Sequence, residues 1–338
     1  IVEIRGDVLV CKVIVGGLLS NRKGINVPDA EISLPTLSDK DKADILWGVE
    51  NDVDFIAVSF VRNRDDVLAV RRVIEEAGGD IKLIAKIESR KAVERLDEIA
   101  GVVDGMMVAR GDLGVEIPTE DVPLVQKQII DICRSRGKLT IVATQMLDSM
   151  IRNPRPTRAE ANDVANAVLD GADAVMLSGE SAAGKYPVRA VETMARIVHR
   201  AEEGLVRWQR PFAVPTLEDS VPDGVSMAAV ELARKLRARA IVSLTRSGST
   251  ATMVSKYRPE CPILAVTPSE KSCREMCLYW GVFPVMCPEG GTEEQTIKDA
   301  VRTVVQRGYA EEGDMLVITA GMPLGVSGTT NMLRVYTI

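Results

Sequence analysis

The sequence predicts an α/β protein in which an incomplete (β/α)8 TIM-type barrel is followed by a C-terminal α/β domain with an open sheet. Two observations carry this prediction. Short apolar runs alternate with amphipathic helical patterns along the chain, and the runs of the first half all end in polar side chains. A stretch rich in proline and acidic residues at 208–224 separates the two halves, and 338 residues are enough for two domains.

Five apolar runs in the first half have the length of strands, and they lack the polar alternation of strands that face water. They are DFIAVSF (54–60), KLIAKIE (82–88), DGMMVA (104–109), LTIVAT (139–144) and DAVMLS (173–178). Helical patterns lie between them, for example Val67, Val70 and Ile74 on one face, so the chain predicts right-handed βα units. AEISL (30–34) is a candidate sixth strand, which leaves the count short of eight.

Polar residues at the strand ends favour a barrel because its parallel strands bring their carboxyl ends to one face, where such barrels keep their active sites. These residues are Ser59, Lys86, Glu88, Arg110, Asp112, Thr144, Ser178 and Glu180.

The second half and the extreme N-terminus differ from this pattern. After residue 224, the strand-like runs AIVSL, PILAV, GVFPV, MLVIT and LRVYTI alternate with helices, which predicts an open, mostly parallel sheet. VEIRGDVLVCKVIVGG at the start predicts a β-rich piece with glycine turns.

Composition excludes several classes of function. A net charge of −6 without long charged runs argues against a nucleic-acid partner. No apolar stretch reaches 18 residues and no signal-peptide pattern is present, so we expect no membrane partner and a cytoplasmic protein. Six cysteines without a CxxC pair predict reduced thiols, and a single histidine, His199, makes serine triads and histidine-based zinc sites unexpected.

Lys86, Glu88 and Asp112 are the first candidates for chemistry. Lys86 and Glu88 are two apart on one strand and therefore point to the same side, and Asp112 follows the next strand. A lysine with two carboxylates suggests a hard cation, Mg²⁺ or Mn²⁺, whose shell the substrate completes. A structural salt bridge between Lys86 and a carboxylate is the alternative.

Thr144 and Gly111 are the second pair of candidates. Thr144 places a hydroxyl at a strand end, where it holds a proton or water or else caps a helix. Gly111 lets the backbone N–H groups of Gly111 and Asp112 approach an anion such as a substrate carboxylate if the turn opens a helix, for which PTEDVPLVQ downstream is the predicted start.

Two glycine-containing loops share features with phosphate-binding loops. SGESAAGKYP (178–187) fits G-x-x-x-x-G-K but continues with Tyr186 instead of Ser or Thr, so we interpret it as a tight connection into a helix that begins at Pro187. LTRSGST (244–250) ends a strand and opens a helix, and it predicts either a phosphate cradle or simple N-capping. The candidate ligands in it are Thr245, Ser247, Gly248, Ser249 and Thr250.

These motifs together resemble the pyruvate kinase family. The resemblance is carried by SNRKGINVP, KIES, MVARGDLGVEIP and ATQMLDSMIRNPRPTRAEANDVANAVLDGADAVMLSGES, which occur in the family's order across essentially the whole chain. It implies phosphoryl transfer from phosphoenolpyruvate to ADP, giving pyruvate and ATP in the last step of glycolysis. The reaction would pass through an enolate and need Mg²⁺ or Mn²⁺, often with K⁺.

The resemblance also assigns roles to residues of this chain. Glu88 and Asp112 match the divalent-metal ligands, and Lys86 matches the lysine beside the transferring phosphoryl group. Thr144 matches the threonine implicated in protonating the enolate through water, and the N–H groups of Gly111 and Asp112 would hold the substrate carboxylate. Lys23 matches a lid lysine that reaches the nucleotide phosphates, and LTRSGST matches the effector phosphate loop, for a sugar phosphate or a nucleotide.

The implied domains are the tail of a β-rich lid (1–29), the catalytic barrel from its third strand onward (30–205), a linker (206–223) and a regulatory α/β domain (224–338). A homotetramer is also implied. The family segment with the first barrel strands, an active-site arginine, the K⁺ ligands and most of the lid is not in this sequence. We therefore expect this polypeptide by itself to be poorly active and unstable, because missing strands expose sheet edges.

Three alternatives remain open. A metal-dependent pyruvate or oxaloacetate lyase on a related barrel also stabilises an enolate with Mg²⁺. A Schiff-base aldolase using Lys86 is disfavoured because nearby carboxylates keep the amine protonated. A sugar-phosphate-binding module without activity would use only Thr245 to Thr250. The role of Arg110 is undetermined: it braces the site or a neighbouring subunit.

Overall fold

A computed structural model describes residues 1–18, 21, 25, 36–207, 220–288, 290–323, 326 and 328–338. The chain divides into two compact units, Ile1–Ser33 and Leu34–Ile338. In the first, β1 (Glu3–Arg5) and β2 (Val8–Val10) pair antiparallel around a turn in which Gly6 has a φ of +58°. This hairpin is the β-rich piece with a glycine turn that the sequence predicts.

Five parallel strands form the first sheet of the larger unit, in the order β3-β4-β5-β6-β7. They are β3 (Phe55–Val58), β4 (Lys82–Ile87), β5 (Gly105–Ala109), β6 (Leu139–Ala143) and β7 (Ala174–Met176). The sequence of strand, helix, strand is that of the predicted barrel, and over the described residues the sheet does not close. The candidate strand at 30–34 lies outside the described residues.

Helices connect these strands, and their ends follow the capping residues. Asn63 accepts the Asp66 N–H at the start of the helix Arg64–Glu76, and the side chains of Thr157 and Glu160 form a capping box at the start of the helix Arg158–Asp170. The helices are α1 (Asp39–Glu50), α2 (Arg64–Glu76), α3 (Arg90–Glu94), α4 (Leu96–Ala100), α5 (Arg110–Glu116), α6 (Val122–Ser135), α7 (Arg158–Asp170), α8 (Gly179–Ala182) and α9 (Pro187–Arg207), with a 3-10 turn at Asp148–Ile151.

The two faces of this first sheet pack against different hydrophobic clusters, and this determines on which face Lys86 lies. Leu83 and Ile87 of β4 belong to the core cluster formed with the surrounding helices. Ile84, on the opposite face, belongs to a second cluster together with Met107 of β5. Because side chains alternate along a strand, Lys86 lies on the same face as Ile84, at the carboxyl end.

The second sheet has the order β10-β9-β8-β11-β12, parallel except for β12, which runs antiparallel to β11. This is the open, mostly parallel sheet that the sequence predicts. Its helix α10 begins at Val221, inside the segment predicted to be a linker, because Ser220 caps it. The elements are α10 (Val221–Leu236), β8 (Ala240–Leu244), α11 (Ser249–Ser255), β9 (Ile263–Thr267), α12 (Glu270–Met276), β10 (Val282–Met286), α13 (Glu293–Gln306), β11 (Met315–Gly321) and β12 (Thr330–Thr337).

A buried ion pair joins the two sheets of the larger unit. Asp173 precedes β7, and its carboxylate lies 2.9 Å from the Arg258 guanidinium, with both side chains almost wholly buried. The same carboxylate accepts the backbone N–H groups of Thr140 at 2.9 Å and Trp280 at 3.1 Å. One carboxylate therefore connects β6 to the C-terminal half of the chain.

Candidate active site

Lys86 and Glu88 meet at the carboxyl end of β4, as their spacing predicts. The Lys86 ammonium lies 2.5 Å from Glu88 Oε1 and donates a hydrogen bond of 2.8 Å to Ser59 Oγ. Ser59 follows β3, so the ends of two adjacent strands contribute to one cluster. The salt bridge that was the alternative interpretation of Lys86 is thus present, and it lies at the strand ends where the cation site was predicted.

The Glu88 carboxylate is 1% exposed, and one of its oxygens accepts the Phe60 backbone N–H at 2.6 Å. The other oxygen, Oε1, is buried and has no hydrogen-bond partner, because its contact with Lys86 lacks hydrogen-bond geometry. Phe60 has a φ of +54°, and this left-handed turn presents its N–H to the carboxylate. The Lys86 ammonium supplies the positive charge that offsets the burial of this oxygen.

Gly111 and Thr144 are in direct contact. The Gly111 N–H donates to Thr144 Oγ1 at 2.8 Å, and that hydroxyl donates to the Ala143 carbonyl at 2.6 Å. Gly111 and Asp112 lie in the first turn of the short helix α5, which begins at Arg110. The PTEDVPLVQ segment opens the next helix, α6, at Val122, as predicted. Thr144 does not cap a helix of its own; its hydroxyl accepts from the first turn of α5 across the strand ends.

Arg110 contacts the end of β6. Its Nε donates to the Ala143 carbonyl at 3.2 Å, and its Nη2 donates to the Thr144 carbonyl at 2.6 Å. Nη1 forms an ion pair of 2.7 Å with Asp163 of α7. Nothing in the residue types along the sequence indicated these partners, which lie 33 to 53 positions away.

Comparison with known proteins yields two family models that match consecutive parts of the chain. The model for the pyruvate kinase barrel domain matches residues 1–191, and the model for the pyruvate kinase alpha/beta domain matches residues 223–336. The chain belongs to the pyruvate kinase family.

Relatives from several bacteria support this membership. A pyruvate kinase of Clostridium acetobutylicum is 47% identical over 99% of the chain and 71% of its own length. A pyruvate kinase of Clostridium perfringens is 48% identical, with coverages of 99% and 72%. For a pyruvate kinase of Geobacillus stearothermophilus the identity is 48%, over 100% of this chain and 58% of that protein.

The sequence predicts that Glu88 and Asp112 would hold a divalent cation, and the two carboxylates follow adjacent parallel strands. Oε1 of Glu88 is the buried oxygen without a hydrogen bond, and Asp112 lies half-buried at the end of the neighbouring strand. Among the described residues, no three acidic, cysteine or histidine side chains form a metal-binding group. Two carboxylates suit a Mg²⁺ ion whose remaining ligands are substrate and water.

Glu180 and the SGESAAGKYP segment have structural partners. The Glu180 carboxylate is buried and accepts the backbone N–H groups of Leu147 at 3.0 Å and Ser178 at 2.8 Å. A β-carbon on Gly184 would lie 2.5 Å from the Glu180 carbonyl oxygen, so this connection requires glycine for a tight turn. The helix α9 begins at Pro187, as predicted. These contacts fit a tight connection.

The predicted effector loop borders a cavity between β8, α11 and the segment that precedes β12. Thr245, Ser249 and Thr250 line this cavity, and so does Arg246, a cation that the sequence reasoning did not include. Ser247 and Gly248 are not among its lining residues. Gly248 instead forms the left-handed N-cap of α11 at φ +87°, and its N–H donates to Thr245 Oγ1 at 3.0 Å.

Thr250 is less available to bind a phosphate than the sequence predicts, because its hydroxyl is buried and bonds to Thr330 Oγ1 at 2.8 Å. Ser249 Oγ accepts the Gly328 N–H at 3.2 Å and so connects the loop to the chain before β12. Lys23, the predicted nucleotide contact, lies outside the described residues. Within the described ranges, no helix has the length and apolar character needed to cross a membrane.

Proposed function

We propose that Lys86, Glu88, Gly111, Asp112 and Thr144 form the site of the pyruvate kinase reaction, which the 338 residues by themselves are expected to catalyse poorly. The single observation that carries the proposal is the position of these residues at the carboxyl ends of three adjacent parallel strands. Lys86 lies at the end of β4 with Glu88 directly after it, and Gly111 and Thr144, which follow β5 and β6, are in hydrogen-bond contact. In this reaction an oxygen of ADP forms a bond to phosphorus, the bond from phosphorus to the enol oxygen breaks, and the resulting enolate takes a proton at its methylene carbon.

Each of these residues has a separate role in the proposed reaction. The Lys86 ammonium would stabilise charge on the transferring phosphoryl group and the enolate oxygen. The N–H groups of Gly111 and Asp112 in the first turn of α5 would bind the substrate carboxylate, which would replace the Thr144 hydroxyl as the acceptor of the Gly111 N–H. The released Thr144 hydroxyl would then orient the water that delivers the proton.

A divalent cation, when bound by Glu88 and Asp112, supplies positive charge next to the phosphoryl and enolate oxygens. Lys86 would then exchange its contact with Glu88 Oε1 for one with the substrate, because the cation satisfies that oxygen. Binding of Mn²⁺ measured by electron paramagnetic resonance tests this part without any catalysis. Glu88→Gln should abolish the high-affinity signal, whereas Glu116→Gln on α5 should retain it.

The test of the activity is ADP-dependent formation of pyruvate from phosphoenolpyruvate with Mg²⁺, compared between the protein and Lys86→Met. Loss of a preorganised charge at the reacting oxygens predicts a kcat lower by roughly 10²–10³-fold. Lys40→Met removes an equivalent charge from the exposed surface of α1 and should leave turnover unchanged. Unchanged turnover in Lys86→Met would refute the assignment of this lysine.

Three measurements distinguish the pyruvate kinase reaction from the alternative functions. Pyruvate formed from oxaloacetate without ADP would indicate the lyase, and borohydride trapping of pyruvate on Lys86 would indicate the aldolase. Effector binding without Mn²⁺ binding or turnover would indicate a sugar-phosphate-binding module.

Regulation through the C-terminal domain is the second part of the proposal, and the cavity beside LTRSGST supports it. Its hydroxyls at Thr245 and Ser249 and the cation Arg246 suit a phosphate group. A hexose bisphosphate and a nucleoside monophosphate serve as probes in thermal-shift binding, and Ser249→Ala should weaken binding of the probe that stabilises the protein. No shift with either probe would exclude these two effector classes. The homotetramer, the cytoplasmic location and the K⁺ dependence stay predictions.

A further inference from the structure

Two consecutive residues after β6 have left-handed backbone conformations that are unusual for their side chains. Thr144 has a φ of +71° and Gln145 a φ of +53°. The β-branched side chain of Thr144 makes this region particularly unfavourable for it, so the conformation persists only where surrounding contacts impose it. The turn matters because it determines where the Thr144 hydroxyl points.

One side chain, that of Arg110, contacts this turn at several points. Arg110 is 13% exposed, and its guanidinium donates to the carbonyl oxygens of Ala143 and Thr144, which belong to the two peptide groups that flank Thr144, at 3.2 and 2.6 Å. Its Nη2 also lies 2.8 Å from Met146 Sδ, beyond the two strained residues. The guanidinium therefore contacts the chain before, within and after the turn.

Asp163 fixes the direction of this guanidinium. Its carboxylate on α7 forms the ion pair of 2.7 Å with Nη1, which leaves Nε and Nη2 directed at the β6 end. A planar guanidinium with several fixed donors can satisfy all these acceptors at once, whereas a lysine ammonium on a flexible stem cannot reproduce the set. The site therefore uses the shape of arginine as well as its charge.

We propose that Arg110 is a positioning residue that holds the Thr144–Gln145 turn in its left-handed conformation and so fixes the Thr144 hydroxyl opposite the N–H of Gly111. Arg110 itself begins α5, whose next residue, Gly111, donates to that hydroxyl at 2.8 Å. The same arginine thus links the first turn of α5 to the end of β6. This inference rests on the proposed function only for its catalytic consequence, because the positioning can be measured separately.

The first measurement follows positioning without catalysis, by hydrogen exchange of the backbone amides. The Gly111 amide is bonded to Thr144 Oγ1, and the Leu147 amide is bonded to Glu180 across the same turn. In Arg110→Met both amides should exchange faster by about tenfold or more. Amides of β9 in the C-terminal sheet serve as the reference for a general loss of stability and should be unaffected.

Two further variants make this readout specific. Gln145→Gly supplies a residue that adopts positive φ without strain, so Arg110→Met combined with Gln145→Gly should regain most of the lost protection. Arg136→Met is the matched control, because Arg136 also bonds to a carbonyl and a carboxylate, both of Asp97, but lies away from the site. It should leave the Gly111 and Leu147 amides unchanged.

The second measurement follows the proton step through deuterium incorporation into the methyl group of pyruvate, with Mg²⁺ and ATP present. A displaced catalytic hydroxyl predicts a rate lower by about 10²-fold in Arg110→Met and a similar loss in Arg110→Lys. The KM for phosphoenolpyruvate should change far less than this rate, and Gln145→Gly should partly restore the rate. Loss of binding alone, with normal proton exchange, would contradict the inference.

The two measurements distinguish the possible failures. Unchanged amide exchange in Arg110→Met overturns the positioning role whatever the activity. Faster exchange at Gly111 and Leu147 that Gln145→Gly reverses supports the positioning role, even if the unmodified protein fails to exchange pyruvate protons. In that last case it is the proposed function that fails.

Discussion

Replacing Asp173 by asparagine tests what holds the two sheets together. The carboxylate is 2% exposed and its partner Arg258 is 3% exposed, so neither charge has water to replace the other. Asparagine keeps the shape but has only one acceptor oxygen, so the change removes the charge and also the acceptor for one of the backbone N–H groups of Thr140 and Trp280. Arg258 keeps hydrogen bonds to the carbonyls of Gly171 and Ser255, but these do not neutralise it.

The expected loss of stability in Asp173→Asn follows from the burial of this ion pair. Removing one member of a buried ion pair destabilises a protein by about 3–5 kcal/mol. With a slope of about 3 kcal/mol/M, the urea midpoint should fall by roughly 1 M or more. Asp54→Asn is the control: its ion pair with Arg274 at 2.9 Å is 25% and 43% exposed, and such pairs contribute about 0–1 kcal/mol.

The assay is urea unfolding followed by circular dichroism and by tryptophan fluorescence, since the Trp280 ring lies 5.2 Å from the Arg258 guanidinium. A double variant, Asp173→Asn with Arg258→Met, should be more stable than Asp173→Asn alone, because it removes the uncompensated charge. The reasoning is refuted if Asp173→Asn costs no more than Asp54→Asn, or if Arg258→Met adds its own full cost to that of Asp173→Asn.

Three further predictions concern the stability of the two halves of the chain. Partial burial by itself would raise the pKa of Glu160, but hydrogen bonds from Ser149 and Thr157 outweigh it and hold the pKa below its ordinary value of 4.5. The stabilisation that Glu160 contributes is therefore complete above about pH 4.5 and is lost as the pH falls through the lowered pKa. The melting temperature of Glu160→Gln should consequently fall less steeply with decreasing pH than that of the unmodified protein. Equal slopes for the two proteins would contradict this prediction. A β-carbon on Gly105 would lie 2.8 Å from atoms of Leu139 in the adjacent strand, so Gly105→Ala should cost about 1–3 kcal/mol by overpacking. Gly224→Ala, in open space within α10, should instead stabilise by about 0.5–1 kcal/mol, and equal effects of both alanines in denaturant unfolding would refute the packing argument.

The sequence alone was sufficient for features that depend on local periodicity. Apolar runs without alternation located the strands β3 to β7, since strands buried on both faces need apolar residues throughout. The spacing of Lys86 and Glu88 was enough to place both on one side of β4, where they form an ion pair. Family membership likewise follows from the order of motifs along the chain.

Features that join distant segments were decided by the tertiary structure. The Arg110 guanidinium finds its acceptors at the end of β6 and on α7, and no local pattern encodes a partner so far along the chain. Local propensity disfavours left-handed backbone at a β-branched residue such as Thr144, so the sequence pattern gives no indication of the conformation found there. In the same way, the sequence predicts that the Thr250 hydroxyl can bind a phosphate, whereas in the folded chain this hydroxyl bonds to Thr330. Residue type and spacing determine which chemistry is possible at a strand end, whereas packing determines which donors and acceptors remain available for it.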